Sequence, residues 1–296
     1  MTFATGIVLF AFGLVVGSFI NVVSLRYDPA RFLFSRHAIG LGARGERRSY
    51  CPHCRKTLRW FELIPLVSFF LQRGRCRSCR ARLSIQYPIV EVLSGLIFVF
   101  VPLRIVSLYY LLPATYYLLC GAWIFALLTL LLIAAIDIRL RIIPDEGNVL
   151  LILVGIAVAA LTPSMDVVGG SLLQSYGMLL FASSHIWLNK LFGFLAGGLG
   201  LLALLVVTRG RGMGLGDVKL AAALGALFGW PDIMVLLGLS FVLGAVAGIL
   251  GMAMGGKTMK SALPFGPFIA LAATFVFFMG FEFVGWYLKA ALSFSL

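Results

Sequence analysis

Two aspartates that are distant along the chain lie at the edges of long apolar runs. Asp137 follows the apolar run 127–136, and Asp217 follows the glycine-rich stretch 212–216. A carboxyl group placed in or near a membrane is costly and is usually functional. Two such groups close together in a low-dielectric site share a proton, so that one can activate water while the other polarises a carbonyl. The pair Asp137 and Asp217 therefore predicts peptide-bond hydrolysis at the edge of a bilayer.

Each aspartate also has a simpler interpretation. Asp137 could be a surface residue paired with Arg139 or Arg141, although a carboxylate near the end of a helix opposes the helix dipole. Asp217 precedes a helical run and could serve only as its N-cap. Glycines in the stretch before it leave room for an extended peptide to approach the backbone. The sequence leaves both interpretations open.

Four cysteines form a second group with a chemical pattern. Cys51 and Cys54 make one C-x-x-C pair, and Cys76 and Cys79 make another after the 21 residues 55–75. Paired C-x-x-C motifs are typical of a tetrahedral zinc site with four thiolate ligands, which is structural rather than catalytic. A redox pair or four unligated thiols are the alternatives. The nearby residues His37 and His53 could also be ligands, but four thiolates already complete the coordination.

The composition places these residues in a helical membrane protein, because 61% of the chain is hydrophobic and only 12% is charged. About 20 apolar residues are needed to cross a bilayer as a helix. Eight runs qualify as candidate spans, namely 4–25, 88–104, 108–136, 147–162, 187–208, 217–230, 231–254 and 265–288. We therefore expect an all-α polytopic membrane protein with about eight transmembrane helices and a small zinc-bound cytoplasmic loop domain. The predicted division is a first helix at 1–25, the four-cysteine zinc loop at 26–84, and a transmembrane peptidase core at 85–296.

The distribution of basic residues predicts the orientation. The loop 26–84 holds 14 of the 24 Lys and Arg residues and only three acidic ones. Cytoplasmic loops carry the excess of positive charge, so this loop is expected inside and the N-terminus outside. Eight spans then leave only Arg104, Lys190 and Lys289 on the outer side and bring both aspartates to the cytoplasmic face with the cysteines. The net charge of +13 thus reflects topology, and we expect no nucleic-acid partner.

Other hydrolase classes find little support in the sequence. It contains neither a Gly-x-Ser-x-Gly elbow nor a His-Glu-x-x-His metal helix, and it has only three histidines, so serine and zinc hydrolase mechanisms are not expected. Two alternatives from other classes remain. A secondary transporter could relay protons through the aspartates, which predicts inverted repeats and carboxylates near mid-membrane. A membrane scaffold could dock a partner on its cysteine loop and would tolerate loss of either aspartate.

The residues also carry a resemblance that runs nearly from end to end. The matching motifs are Gly17-Ser18-Phe19-Ile20-Asn21-Val22-Val23 with Arg26; Cys51-Pro52-x-Cys54; Ile64-Pro65-Leu66-x-Ser68; Gly74-Arg75-Cys76-Arg77-x-Cys79; Tyr87-Pro88-x-x-Glu91; Asp137 with Ile143-Pro144-Asp145; Gly214-x-Gly216-Asp217-Val218-Lys219; and Pro264-Phe265-Gly266-Pro267-Phe268. In this order they resemble the type IV prepilin peptidases, the bifunctional leader peptidase/N-methyltransferases of type IV pilus and type II secretion systems.

The resemblance implies an activity and its partners. It makes Asp137 and Asp217 the catalytic pair and identifies Gly-x-Gly-Asp as the signature shared with presenilin-like intramembrane proteases. It implies cleavage of a short basic leader from prepilins or pseudopilins at the cytoplasmic face of the bacterial inner membrane. It also implies methylation of the new N-terminal residue, with S-adenosylmethionine as donor. No Gly-x-Gly-x-x-Gly motif follows a strand pattern, so the sequence does not identify the donor-binding residues.

Overall fold

The computed structural model describes residues 2–30, 33, 49–51, 53–108, 112–162, 170–179, 181–210, 212–254 and 263–293. Within these ranges the chain is helical and has no β-strand beyond two isolated bridges. The α-helices are α1 (Phe3–Arg26), α2 (Val67–Leu71), α3 (Gln86–Leu108), α4 (Pro113–Leu140), α5 (Asp145–Leu161), α6 (Ser175–Leu179), α7 (Ile186–Val207), α8 (Leu215–Phe228), α9 (Asp232–Ala253) and α10 (Gly266–Ser293), with a short 3-10 helix at Trp60–Leu63. His37 and Pro52 lie outside the described ranges, as do some of the charged residues that predict the orientation, namely Arg31, Arg36, Arg44, Glu46, Arg47, Arg48, Arg211, Lys257 and Lys260.

Each of the eight predicted runs coincides with a helix, and the boundaries differ by at most five residues. The helices α1, α3, α4, α7, α9 and α10 are long and apolar enough to cross a membrane. The prediction of a helical polytopic membrane protein is confirmed. The division into 1–25, 26–84 and 85–296 stays a prediction.

The other two helices are shorter than the bilayer is thick. α5 has 17 residues and α8 has 14, which at 1.5 Å per residue makes α8 only about 21 Å long, against about 30 Å of hydrocarbon. α8 begins after the glycine-rich segment and ends at Gly229, whose φ of +89° lies in a region that favours glycine. The sixth predicted span is thus a short helix that other helices must position.

Close packing of backbones holds α8 in place. A Cβ on Gly193 of α7 would lie 2.5 Å from the carbonyl oxygen of Gly225, and one on Gly155 of α5 would lie 2.7 Å from that of Ala226. Small residues allow helices to approach each other this closely inside membranes. Leu220 and Leu224 of α8 are fully buried. Packing against α5 and α7 therefore fixes the helix that carries Asp217.

A similar contact joins α1 to α3. A Cβ on Gly13 would lie 2.7 Å from Cα of Gly95, and one on Gly17 would lie 2.7 Å from Cα of Glu91. The spacing Gly13-x-x-x-Gly17 is the one that brings two membrane helices into tight contact. The cysteine segment is connected to the adjacent ends of these two helices, so their pairing determines where it sits.

α4 lies at the centre of the bundle and contacts α1, α3, α5 and α10. Its Trp123 is buried and packs on Phe277 of α10, with 4.5 Å between ring centroids, and on the edge of Phe228 of α8 at 5.4 Å. Aromatic pairs at such distances stabilise a core beyond the area that they bury. The last turn of α4, which carries Asp137, is thereby held relative to both α8 and α10.

Candidate active site and cysteine centre

Asp137 lies in the last turn of α4 and is buried, with 4% of the residue exposed. Its Oδ2 accepts a hydrogen bond of 2.9 Å from the amide of Gly266, the first residue of α10. Arg139 does not pair with this carboxylate and instead donates to the main-chain oxygens of Leu25 and Tyr27. The interpretation of Asp137 as a surface residue is therefore wrong, because the carboxyl group faces the interior between two helices.

Asp217 is the third residue of α8 and is half-buried. Its Oδ2 accepts a hydrogen bond of 2.9 Å from the amide of Gly214, which is the N-cap. Asp217 therefore does cap the helix, but it does so as the third helical residue and not as the N-cap residue. This bond fixes the side chain at the positive end of the helix dipole, where a carboxylate is stabilised.

The two aspartates, 80 residues apart in sequence, meet at one end of the bundle. Their carboxyl groups interact electrostatically. The turn between α4 and α5 packs on the start of α8, since a Cβ on Gly216 would lie 3.2 Å from Cβ of Ile143. An ion pair of 2.8 Å between Lys219 and Asp145 joins the same two segments. Both aspartates thus lie near helix ends on the same side of the bundle.

The four cysteines also come together. One sulfur from each of Cys51, Cys54, Cys76 and Cys79 lies within 4.8 Å of the others, and the Sγ atoms of Cys51 and Cys79 are 3.8 Å apart. Sulfurs bound tetrahedrally at about 2.3 Å from zinc would be about 3.8 Å from each other. His53 is exposed and is not part of this cluster. The geometry therefore fits a four-thiolate metal ion.

The two C-x-x-C segments have similar backbone hydrogen bonds, and an arginine follows the second cysteine in both. In the first segment the amide of Cys51 donates to the carbonyl of Lys56, and the amide of Arg55 donates to the carbonyl of Cys51. The same two bonds recur 25 residues later, from Cys76 to Ala81 and from Arg80 to Cys76. Arg55 and Arg80 both have positive φ. The pKa of the Cys76 thiol is lowered to about 7, and the largest cause is a hydrogen bond from the backbone amide of Cys79. A thiol that ionises near neutral pH is a good metal ligand.

A buried polar cluster that the sequence patterns do not predict lies where α7 and α9 begin and α8 ends. Lys190 is buried, and its Nζ donates to the carbonyl oxygens of Leu227 at 2.5 Å and Phe228 at 3.0 Å. Asp232 is fully buried, accepts a hydrogen bond of 2.5 Å from Ser171, and interacts electrostatically with Lys190. Lys190 lies within the apolar run 187–208, and the charge distribution alone predicts only that it is on the outer side of the membrane. The sequence does contain one sign of this cluster, because Asp232 is an acidic residue at the start of the apolar run 231–254.

Comparison with known proteins identifies family models and relatives that match most of the chain. The model of the bacterial peptidase A24 N-terminal domain matches residues 11–105, and that of the type IV leader peptidase family matches residues 124–249. Proteins named prepilin leader peptidase/N-methyltransferase are similar over nearly the whole chain. The one from Aeromonas hydrophila is 32% identical over 95% of this chain and 92% of its own, and the one from Burkholderia pseudomallei (strain K96243) is 33% identical over 96% and 87%. The one from Bacillus subtilis (strain 168) is 29% identical over 96% and 98%.

No solved structure matches the chain. The family models and the full-length relatives confirm the resemblance stated from the motifs. This chain belongs to the type IV leader peptidase family.

Proposed function

We propose that the chain is a membrane aspartic endopeptidase that removes the leader of type IV prepilins or pseudopilins and then N-methylates the new N-terminal residue. Membership of the family supports the reaction class. The observation that supports the assignment to residues is the packing of the turn after α4 on the first turn of α8, which brings Asp137 and Asp217 to the same end of the bundle. A proton-relaying transporter would need carboxyl groups near mid-membrane, whereas Asp137 and Asp217 lie near the ends of their helices.

The surroundings of the two aspartates suggest different roles in cleavage. Asp217 lies at a helix N-terminus, which favours the carboxylate, and it is the general base that takes a proton from water. Asp137 is buried at a helix C-terminus, which favours the neutral acid, and it donates a hydrogen bond to the scissile carbonyl. Water adds to the carbonyl carbon, the C–N bond breaks, and the leaving amine takes up a proton. The products are the leader and a pilin with a free amine.

The four-cysteine cluster serves the fold in this proposal. Cys51, Cys54, Cys76 and Cys79 would hold a zinc ion that supplies no reaction step and keeps the two C-x-x-C segments together. The excess of basic residues in 26–84 supports a cytoplasmic location for this segment, with the N-terminus outside, in the bacterial inner membrane. The aspartate pair then faces the cytoplasm, where the leader of a membrane-anchored prepilin is found.

Methylation follows on the free amine. S-adenosylmethionine would supply an electrophilic methyl group, which the neutral amine takes as the C–S bond breaks and a proton leaves the nitrogen. The family name of the relatives includes this second activity, and it needs a site for the donor that the aspartate pair does not provide.

The decisive experiment combines the chain with a candidate prepilin in one cell and reads the N-terminus of the substrate by mass spectrometry. We expect the wild type to yield cut and methylated pilin, and Asp137→Asn or Asp217→Asn to leave the leader in place while still inserting into the membrane. Asp28→Asn is the matched control, because an asparagine can keep the hydrogen bond of 3.1 Å from Ala30. Normal cleavage by either catalytic variant would contradict the aspartate pair and favour a scaffold.

A further inference from the structure

A cavity of about 370 Å³ lies between the cysteine segment and the adjacent ends of α1, α3 and α4. Its wall includes Asn21, Glu91 and Arg139, and neither catalytic aspartate is part of it. This volume is within the range of about 300–1,000 Å³ that holds small molecules and cofactors. Nothing in the cleavage reaction proposed above makes use of this cavity.

The part of the wall formed by α1 and α3 presents hydrogen-bond acceptors. Glu91 is buried, and its carboxylate accepts hydrogen bonds from the amide of Leu66, at 2.8 Å, and from the side chain of Ser18. Asn21 is 2% exposed and uses its Nδ2 to donate to the carbonyl of Tyr87, at 3.1 Å, but its Oδ1 has no hydrogen-bond partner among the described residues. Buried polar atoms are rarely left unpaired. A carboxylate and a free amide oxygen in one wall suit a ligand with cationic N–H donors.

Another part of the wall suits a flat, mostly apolar group, although Arg26, Glu62 and Gln72 also line the cavity. The aromatic side chains of Tyr50, Phe69 and Tyr87 line the cavity together with Leu58 and Leu83. Purine rings stack on such side chains and gain from excluding water. S-adenosylmethionine joins a purine to an amino acid that carries a sulfonium and an ammonium group. Its two ends match the aromatic part and the acceptor part of this cavity.

We propose that this cavity binds the methyl donor, with Glu91 and Asn21 facing its cationic amino-acid end and the aromatic side chains holding its purine. This inference rests on the proposed methyltransferase function and names the site for it. Arg139 completes the wall from α4, held there by its bonds to the main chain of Leu25 and Tyr27.

The position of the cavity relative to the aspartate pair fits successive reactions on one substrate. Asp137 and Arg139 are two residues apart on α4, so their side chains point about 200° apart around the helix. Asp137 contacts α10, whereas Arg139 contacts the end of α1. The two sites therefore flank a single helical turn. An amine released at the aspartates needs to pass only this turn to reach the donor.

The test measures donor binding directly. Full-length wild type, Glu91→Gln and Leu83→Trp are purified in detergent, and binding of labelled S-adenosylmethionine is followed by equilibrium dialysis. In Glu91→Gln the amide oxygen can still accept the bond from Leu66 but the charge is lost, whereas Leu83→Trp places a larger ring in the cavity and keeps the charge of Glu91. We expect each change to weaken binding about tenfold or more, as for loss of a charge-assisted contact. Glu282→Gln is the matched control, because Glu282 is exposed and pairs with Arg104.

Thermal unfolding of each variant shows whether it is folded, and the wild type is assayed for both cleavage and methylation. Equal donor binding by wild type, Glu91→Gln and Leu83→Trp, with both wild-type activities present, would overturn the location of the site and leave the proposed function intact. A wild type that cuts prepilin but neither binds the donor nor methylates would instead overturn the methyltransferase function, and this inference with it.

Discussion

At the scale of single residues, the hydrogen bond between Asp137 and the amide of Gly266 carries much of the site's geometry. It is 2.9 Å long and joins the end of α4 to the start of α10, across 129 residues of sequence. Gly266 leaves no room for a side chain, since a Cβ there would lie 2.7 Å from Oδ2 of Asp137. The glycine thus allows a backbone amide to reach a buried carboxyl group that has no charged hydrogen-bond partner among the described residues.

Replacing this glycine should disturb catalysis without removing a catalytic group. In Gly266→Ala the new methyl group must push the Asp137 carboxyl aside by a fraction of an ångström or more. Misplacement of about 1 Å can lower a rate by about a hundredfold, and we expect a loss of that order in the rate of leader cleavage. Gly121→Ala on the same helix as Asp137 is the control, because nothing lies within 4 Å of its Cβ. Equal cleavage rates for the two variants would show that Gly266 does not position Asp137.

At the scale of elements, α8 is a short helix held at both ends by polar contacts. Its first turn is capped by Asp217, and the carbonyls of its last turn accept hydrogen bonds from Lys190 of α7. Water cannot satisfy carbonyls inside a membrane, so a buried lysine that does so stabilises the end of the helix. This cluster lies at the opposite end of α8 from Asp217, and it therefore concerns stability and not the chemistry.

Loss of the lysine should consequently destabilise the whole bundle. Lys190→Met leaves the carboxylate of Asp232 without its buried countercharge and the carbonyls of Leu227 and Phe228 without their donor. Leaving buried carbonyls without a donor costs about 1–3 kcal/mol each, so we expect a loss of about 3 kcal/mol, which denaturant unfolding in detergent would detect. Lys289→Met, at an exposed position on α10, should change the free energy of unfolding little. A similar small effect for Lys190→Met would contradict a stabilising role.

The cysteine segment is the other element whose stability can be tested. We expect purified protein to contain about one zinc per chain, and Cys76→Ser to lose that metal. Cys120 supplies a matched control, since it is the fifth cysteine, lies in α4 and is outside the cluster. Elemental analysis of Cys76→Ser and Cys120→Ser decides between the alternatives. A metal-free wild type with an intact fold would contradict the zinc prediction and favour unligated thiols.

At the scale of the whole molecule, two proposed sites share the last turn of α4. The aspartate pair lies between α4, α8 and α10, and the donor cavity lies between α1, α3, α4 and the cysteine segment. The two family models divide the chain in a similar way, since one matches residues 11–105 and the other matches residues 124–249. Cleavage and methylation can then occur in order on a substrate that stays at one face of the membrane.

Separate sites make the two activities separable. When a pilin with its leader already removed is supplied, Asp217→Asn should transfer a methyl group from labelled donor to the free amine at close to the wild-type rate. Arg139 and the cavity wall are unchanged in this variant, and Asp217 does not line the cavity. If Asp217→Asn lost methyl transfer together with cleavage, the two reactions would share a site.

Much of this protein follows from the sequence because the relevant signals are local. Apolar runs mark the helices, since each must satisfy its own backbone in lipid, and all eight predicted runs are helical. The C-x-x-C spacing predicts the cysteine cluster because ligands at such short spacing reach one metal ion. The cost of a carboxylate near lipid singles out Asp137 and Asp217.

Only the tertiary structure decides which of these residues meet. The proximity of Asp137 to Asp217, the amide of Gly266 beside them, and the burial of Lys190 all depend on how α4, α7, α8 and α10 pack. The cavity proposed for the donor likewise depends on how closely α1 packs against α3 and on where the cysteine segment lies beside them. Contacts between helices arise from the fit of many side chains at once, and no short stretch of sequence contains that information.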